Sequence, residues 1–168
     1  MPTLEKDQKY LESAIPELKN YLLSDTLYYP MGQLPRLTIG GLLLAQKRLQ
    51  AGNRGTHLFP KLDSVKTKWY AAWIKKSARE IESRLTLWRN YLNDYQNKPA
   101  EYAADYPSEV RWRVMLELLA AETDETSPEL IALDQLLRAK LKKSSFIWDA
   151  HLENEFPEDK FWFLYGKL

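Results

Sequence analysis

The sequence predicts an all-α fold: a single-domain, irregular helical bundle of about five main helices around one long central helix, with residues 1–168 forming one helical domain. Three observations lead there. Residues 64–97 contain neither Gly nor Pro and repeat large apolar side chains at Trp69, Trp73, Ile81, Leu85, Trp88, Leu92 and Tyr95. Steps of three and four mark one face of an α-helix. The other long segments share this period and start at residues suited to N-capping, such as Thr38, Ser108 and Ser127. Finally, 45% hydrophobic and 28% charged residues in a chain of 168 suffice for a substantial core.

Taken in order, residues 4–24 read as helix, with Thr3 as cap, an interruption at Pro16 and Ser13 as a second cap. Residues 25–37 hold Pro30, Gly32 and Pro35 and read as a loop, made apolar by Leu27, Tyr28, Tyr29 and Met31 and so laid against the core. Residues 38–51 form the next helix, with Gly40 and Gly41 near its start for close packing. They lack the spacing of a phosphate-binding glycine loop. Residues 52–60 form a turn-rich loop, and the long helix follows.

Residues 99–107 read as a tyrosine-bearing connector. Residues 109–122 form a well-buried helix behind Ser108. Ser127, Pro128 and Glu129 begin a helix running to about Lys143, with basic residues toward its C-terminus. The last stretch, SSFIWDAHLENEFPEDKFWFLYGKL, suggests short helical turns. No other segment has a strand pattern able to pair with FWFLY, so no sheet is expected. Phe161, Trp162 and Leu164 are expected on the core, because isolated aromatic surface is costly to expose.

Composition narrows the function classes. With no cysteine, disulfides, thiol catalysis and cysteine metal sites are excluded, and a cytoplasmic setting fits. The charged N-terminus is not a secretory signal. The longest apolar run, residues 37–45, is about half the length of a membrane span, so no membrane partner is expected. A net charge of +1 makes nucleic acid an unlikely partner. Charge nevertheless alternates along the chain. Residues 61–98 carry nine basic and four acidic residues, residues 99–135 two and nine, and residues 136–148 four and none. Such segments neutralise one another when they pack side by side.

No motif selects a reaction, so an enzyme is the less favoured class. His151 and Glu155 stand four apart but have no second ligand pair, so neither a metal nor any other cofactor is expected. The favoured class is a helical protein-interaction or structural module with a protein partner or as a homodimer. Its surface would use the aromatics of residues 27–31 or 161–165. The alternative is a small-anion-binding protein, or an enzyme, with a polar pocket inside the bundle. A weaker alternative is single-stranded nucleic-acid binding through the basic and aromatic long helix, disfavoured because its Trp residues lie on the apolar face.

The pocket alternative names residues. Glu80 and Arg84 interrupt the apolar half of the long helix, Arg111 shares a side with Val114, Met115 and Leu118, and Asp134 borders the stripe of Leu130, Leu133, Leu137 and Leu141. Lone charges are rarely buried, because desolvation costs several kcal/mol per ion. Arg84 and Arg111 are therefore expected to meet acids inside the bundle, first among them Glu80, Asp134 and Asp149. They would form either a structural ion network or an anion site.

Overall fold

The computed structural model describes residues 2–168, and it is mostly α-helical, as the sequence predicts. The chain divides into two compact units, Met1–Glu80 and Ile81–Leu168. The division falls within one continuous helix.

In the first unit, α1 (Leu4–Leu23) begins at Thr3, whose hydroxyl accepts the Lys6 N–H at 3.2 Å. It buries Tyr10, Leu11, Ala14, Leu18, Tyr21 and Leu22, the apolar stripe of a 3.6-residue period. Pro16 lies inside α1 and does not interrupt it, contrary to expectation. Pro16 is exposed, so the carbonyl deprived of its amide partner can turn to water.

The apolar loop folds as a hairpin. β1 (Tyr29–Met31) and β2 (Leu34–Leu37) pair antiparallel, with Tyr29 opposite Leu37 and Met31 opposite Leu34. Gly32 supplies the φ of +64° at the turn, which glycine adopts without strain. The register slips between Tyr29 and Met31, where Pro30 has no N–H to give.

Next, α2 (Ile39–Ala51) packs on α1 and is capped as expected by Thr38, which accepts the Gly41 N–H at 2.9 Å. A Cβ on Gly41 would stand 2.9 Å from the Thr38 hydroxyl and 3.0 Å from that of Tyr10, so the expected close packing is real at this position. The long helix is shorter than the sequence suggests. α3 (Phe59–Lys68) comes first, Trp69 leaves helical geometry at ψ 38°, and α4 runs over Tyr70–Asn97. Backbone hydrogen bonds continue through the break, from Trp69 N–H to Val65 and from Trp73 N–H to Trp69. With no Gly or Pro there, the sequence carries no mark of it.

In the second unit, α4 buries Leu85, Trp88, Tyr91 and Leu92. Two short helices follow, α5 (Pro99–Tyr102) and α6 (Tyr106–Glu109). Ser108 lies inside α6 and is not a cap. α7 (Arg111–Thr123) ends at Asp124 in left-handed geometry, φ 53°. α8 (Pro128–Lys140) is capped as expected by Ser127, which accepts the Leu130 N–H at 3.3 Å. A second two-stranded pairing joins β3 (Lys142–Lys143) to β4 (Gly166–Lys167), just past FWFLY, and with the β1–β2 hairpin it overturns the expectation of no sheet. Its brevity explains the miss, since two residues show no alternation. Phe161 and Leu164 are buried and Trp162 is half-buried. Phe156 meets Phe161 edge-on at 5.1 Å and Trp148 edge-on at 5.5 Å, an arrangement that aromatic quadrupoles favour.

Candidate functional site

The polar residues that interrupt the apolar face of α4 are Lys76, Ser77, Glu80 and Arg84, all buried. They lie three, four, seven and eleven residues after the buried Trp73, so helical geometry keeps them on its side of the helix.

Glu80 is buried on this face and receives a backbone donor. The Gly40 N–H reaches both carboxylate oxygens, at 3.1 and 3.0 Å. Gly40 stands in the first turn of α2, where amides lack helical partners and the helix dipole presents its positive end. A fully buried carboxylate thus acts as the anion for that terminus.

Arg84 is buried, as expected, and its guanidinium carbon lies 4.9 Å from the centroid of the Trp112 ring. Arg111 departs from expectation. It is exposed, and it lies 4.4 Å from the same indole, whose Nε1 donates to Glu109 at 2.9 Å. The buried arginine of α7 is Arg113, two residues on. Two residues turn a helix by about 200°, so the choice between them decides inside from outside. Asp134 belongs to Arg113, with bidentate bonds of 2.8 Å from Nε and Nη2, and Glu117 accepts from Nη1 at 3.0 Å. The same guanidinium lies 4.4 Å from the Phe163 ring centroid. Asp149 is exposed. The pairing of Arg113 with Glu117 at i and i+4 is a signal present in the sequence that would have found it.

Lys76 differs from all of these. Its side chain is 3% exposed, yet among the described residues its ammonium is in ion-pair contact with no carboxylate. Nζ donates to the Ser24 and Thr26 carbonyls at 2.7 and 2.9 Å and lies 4.6 Å from the Tyr21 ring centroid. These carbonyls follow α1, where the helix dipole is negative and favours a cation. Arg79 adds a bond from Nη2 to the Asp25 carbonyl at 3.0 Å. Burial lowers the Lys76 pKa below its usual value, Arg79 and then Lys75 lower it further, and Asp25 opposes them.

A cleft of about 240 Å³ opens beside these groups. Leu22, Leu23, Ser24 and Asp25 line it from the end of α1, and Ala72, Lys75, Lys76 and Arg79 from the start of α4. Three cations and one carboxylate therefore surround it. A guanidinium offers five N–H donors. Arg79 commits one of them to the Asp25 carbonyl and is exposed. Lys75 is exposed as well. The arrangement can hold an anion, with Lys75 and Arg79 as direct donors and Lys76 as fixed charge behind them.

Among the described residues, no group of three or more His, Cys, Asp or Glu could hold a metal ion, and no helix is long and apolar enough to cross a membrane. No family model, no curated protein and no solved structure matches the chain.

Proposed function

We propose that this protein binds a small anion, a carboxylate or a phosphate, in the cleft between the end of α1 and the start of α4. The observation that supports this is the buried Lys76 ammonium, tied to carbonyls and out of ion-pair reach of any described carboxylate, with two exposed cations beside it. Buried charge is ordinarily paired, and a bound anion would complete the pairing. It would also help return Lys76 toward its usual pKa, so binding takes up protons and weakens as pH rises through the lowered value.

The proposed site differs from the residues that the sequence names, Arg84, Arg111, Asp134 and Glu80. The protein-interaction class has less behind it. Among the described residues the large apolar side chains that stand exposed are Leu23, Tyr70, Leu87 and Ile131, two in each unit. Single exposed apolar residues are ordinary on a protein surface.

Titration calorimetry with inorganic phosphate and with acetate tests the proposal. Binding should weaken as salt rises and vanish in Lys75→Gln/Arg79→Gln, while the melting temperature without ligand changes little, since both side chains are exposed. Absence of heat and of any thermal shift with both anions would refute it.

A further inference from the structure

The cleft is not lined by charge alone. Leu22, Leu23 and Ala72 form part of its wall, and Leu23 is 56% exposed although Leu11, Leu18 and Leu22 of the same helix are buried. An exposed leucine is unremarkable on its own. Here it stands one residue from the Ser24 carbonyl that holds Lys76. The volume also matters. About 240 Å³ is several times the roughly 30 Å³ share of a water molecule, more than a bare oxyanion fills. It falls below the roughly 300 Å³ at which pockets for drug-sized ligands begin.

From these features we infer that the ligand is a small amphiphile, an acid head carried on a short unbranched apolar chain. The head lies among Lys75, Lys76 and Arg79, and the chain lies along Leu22, Leu23 and Ala72. This rests on the anion-binding proposal above and adds the chemical class of the ligand. Removing a methylene from water against an apolar wall is favourable whichever head carries it, so the chain signature is common to carboxylates and phosphates. A head without a chain would leave the Leu23 side of the cleft in contact with water. A chain without a head would leave Lys76 unpaired.

Two ligand series measured by calorimetry decide the matter: acetate, butyrate, hexanoate and octanoate, and inorganic phosphate against butyl and hexyl phosphate. Each methylene placed on the wall should tighten binding by about two- to fourfold until the wall is covered. Leu23→Ser should flatten that dependence and leave the affinity for acetate and phosphate within about twofold. Leu23 is already largely in water, so the variant keeps its fold. Arg79→Gln should weaken every member of a series by the same factor. The steeper series identifies the natural head. If acetate or phosphate binds and chain length has no effect, the amphiphile inference is overturned and the anion site stands. If no member of either series binds, both fall. Binding to vesicles containing phosphatidic acid with none to the soluble series would likewise overturn it, in favour of a lipid headgroup at a bilayer surface.

Discussion

The two units bury charge in different ways. In Met1–Glu80 the buried charges of α4 are held by backbone atoms at helix ends: Glu80 by the first turn of α2, Lys76 by the carbonyls that follow α1. In Ile81–Leu168 they meet opposite charges and aromatic faces: Arg113 with Asp134, Glu117 and Phe163, and Arg84 with Trp112. The first unit also holds a closed pair of the second kind, Arg48 with Asp7 at 2.8 Å. A helix end supplies partial charge, about half an elementary charge, spread over several groups. It steadies an ion without neutralising it, whereas a bidentate carboxylate does both. Among the described residues Lys76 is such an ion beside the cleft of the first unit, whereas Arg113 closes a network in the second.

The largest effect should come from opening the closed network. Arg113→Ala leaves Asp134 and Glu117 without their partner at a mostly buried position and removes the contact with Phe163. The expected loss is about 3–5 kcal/mol, measured by denaturant unfolding. Replacing both ends, Arg113→Met with Asp134→Leu, should recover most of it, because apolar side chains of similar volume often serve as well as a buried pair. If the double variant is as unstable as Arg113→Ala, charge rather than packing carries the second unit.

In the first unit the corresponding change is milder. Glu80→Gln preserves shape and an acceptor for the Gly40 N–H, so it should cost less than Glu80→Ala by about 1 kcal/mol, the worth of that bond. Glu80→Ala should cost about 2–4 kcal/mol, because the amide then loses its acceptor in a dry site and a cavity opens. Equal losses for Gln and Ala would show that the negative charge itself, and not the hydrogen bond, holds α2.

Alkaline titration separates the units by sign. Burial raises the pKa of Tyr106 and of Tyr91. The charge of Tyr91 adds to the shift at Tyr106, and Asp105 and Glu109 add to that at Tyr91. Their contribution is complete below the ordinary phenol value of 10.0 and is lost as pH climbs toward the raised values. Lys76 works the other way. Its cost is complete below the lowered pKa and is relieved as pH rises toward 10.5. Unfolding free energy should therefore fall above pH 10 in the wild type and fall less steeply in Tyr106→Phe. That variant should also lose about 1 kcal/mol at neutral pH with the bond to the Phe163 carbonyl. An unchanged alkaline slope would show that Tyr106 is not its source.

What the sequence disclosed, and what it hid, follows the range of the signals. Helical class, the caps at Thr3, Thr38 and Ser127, and the burial of Phe161 and Leu164 rest on local period and local chemistry. The pairing of Lys142 and Lys143 with Gly166 and Lys167, and the bond from Gly40 to Glu80, rest on contacts distant in sequence, and the break at Trp69 has no mark in local composition. Lys76 was legible in principle. It stands three residues after Trp73, on the buried side, but adjacent Lys75 and nearby Arg79 made the segment look like a solvated basic face. Arg113 was hidden by a phase error. The sequence period starts the helix near residue 109, and Val110, buried just before α7, sets a different inside face from the one that Arg111 would share.

The smallest expected effect is also the most direct check on α4. Ser77 is fully buried, and its hydroxyl has no hydrogen-bond partner among the described residues. A hydroxyl out of water with no partner is unfavourable by about 1–3 kcal/mol by mutational measures. Serine is also a poorer helix former than alanine, by a few tenths of a kcal/mol. Ser77→Ala removes one oxygen and leaves almost no void, so the usual sign of a core truncation should reverse. The variant should be about 0.5–1 kcal/mol more stable, with an unchanged denaturant slope. Ser77 stands next to Lys76 and three residues before Glu80 on the buried side of α4. A stabilised variant that binds acetate and phosphate as the wild type does would place the hydroxyl outside the anion site. A destabilised one would mean that the hydroxyl holds a partner, and the contrast between helix-end charges in one unit and closed pairs in the other would then need a polar link at Ser77.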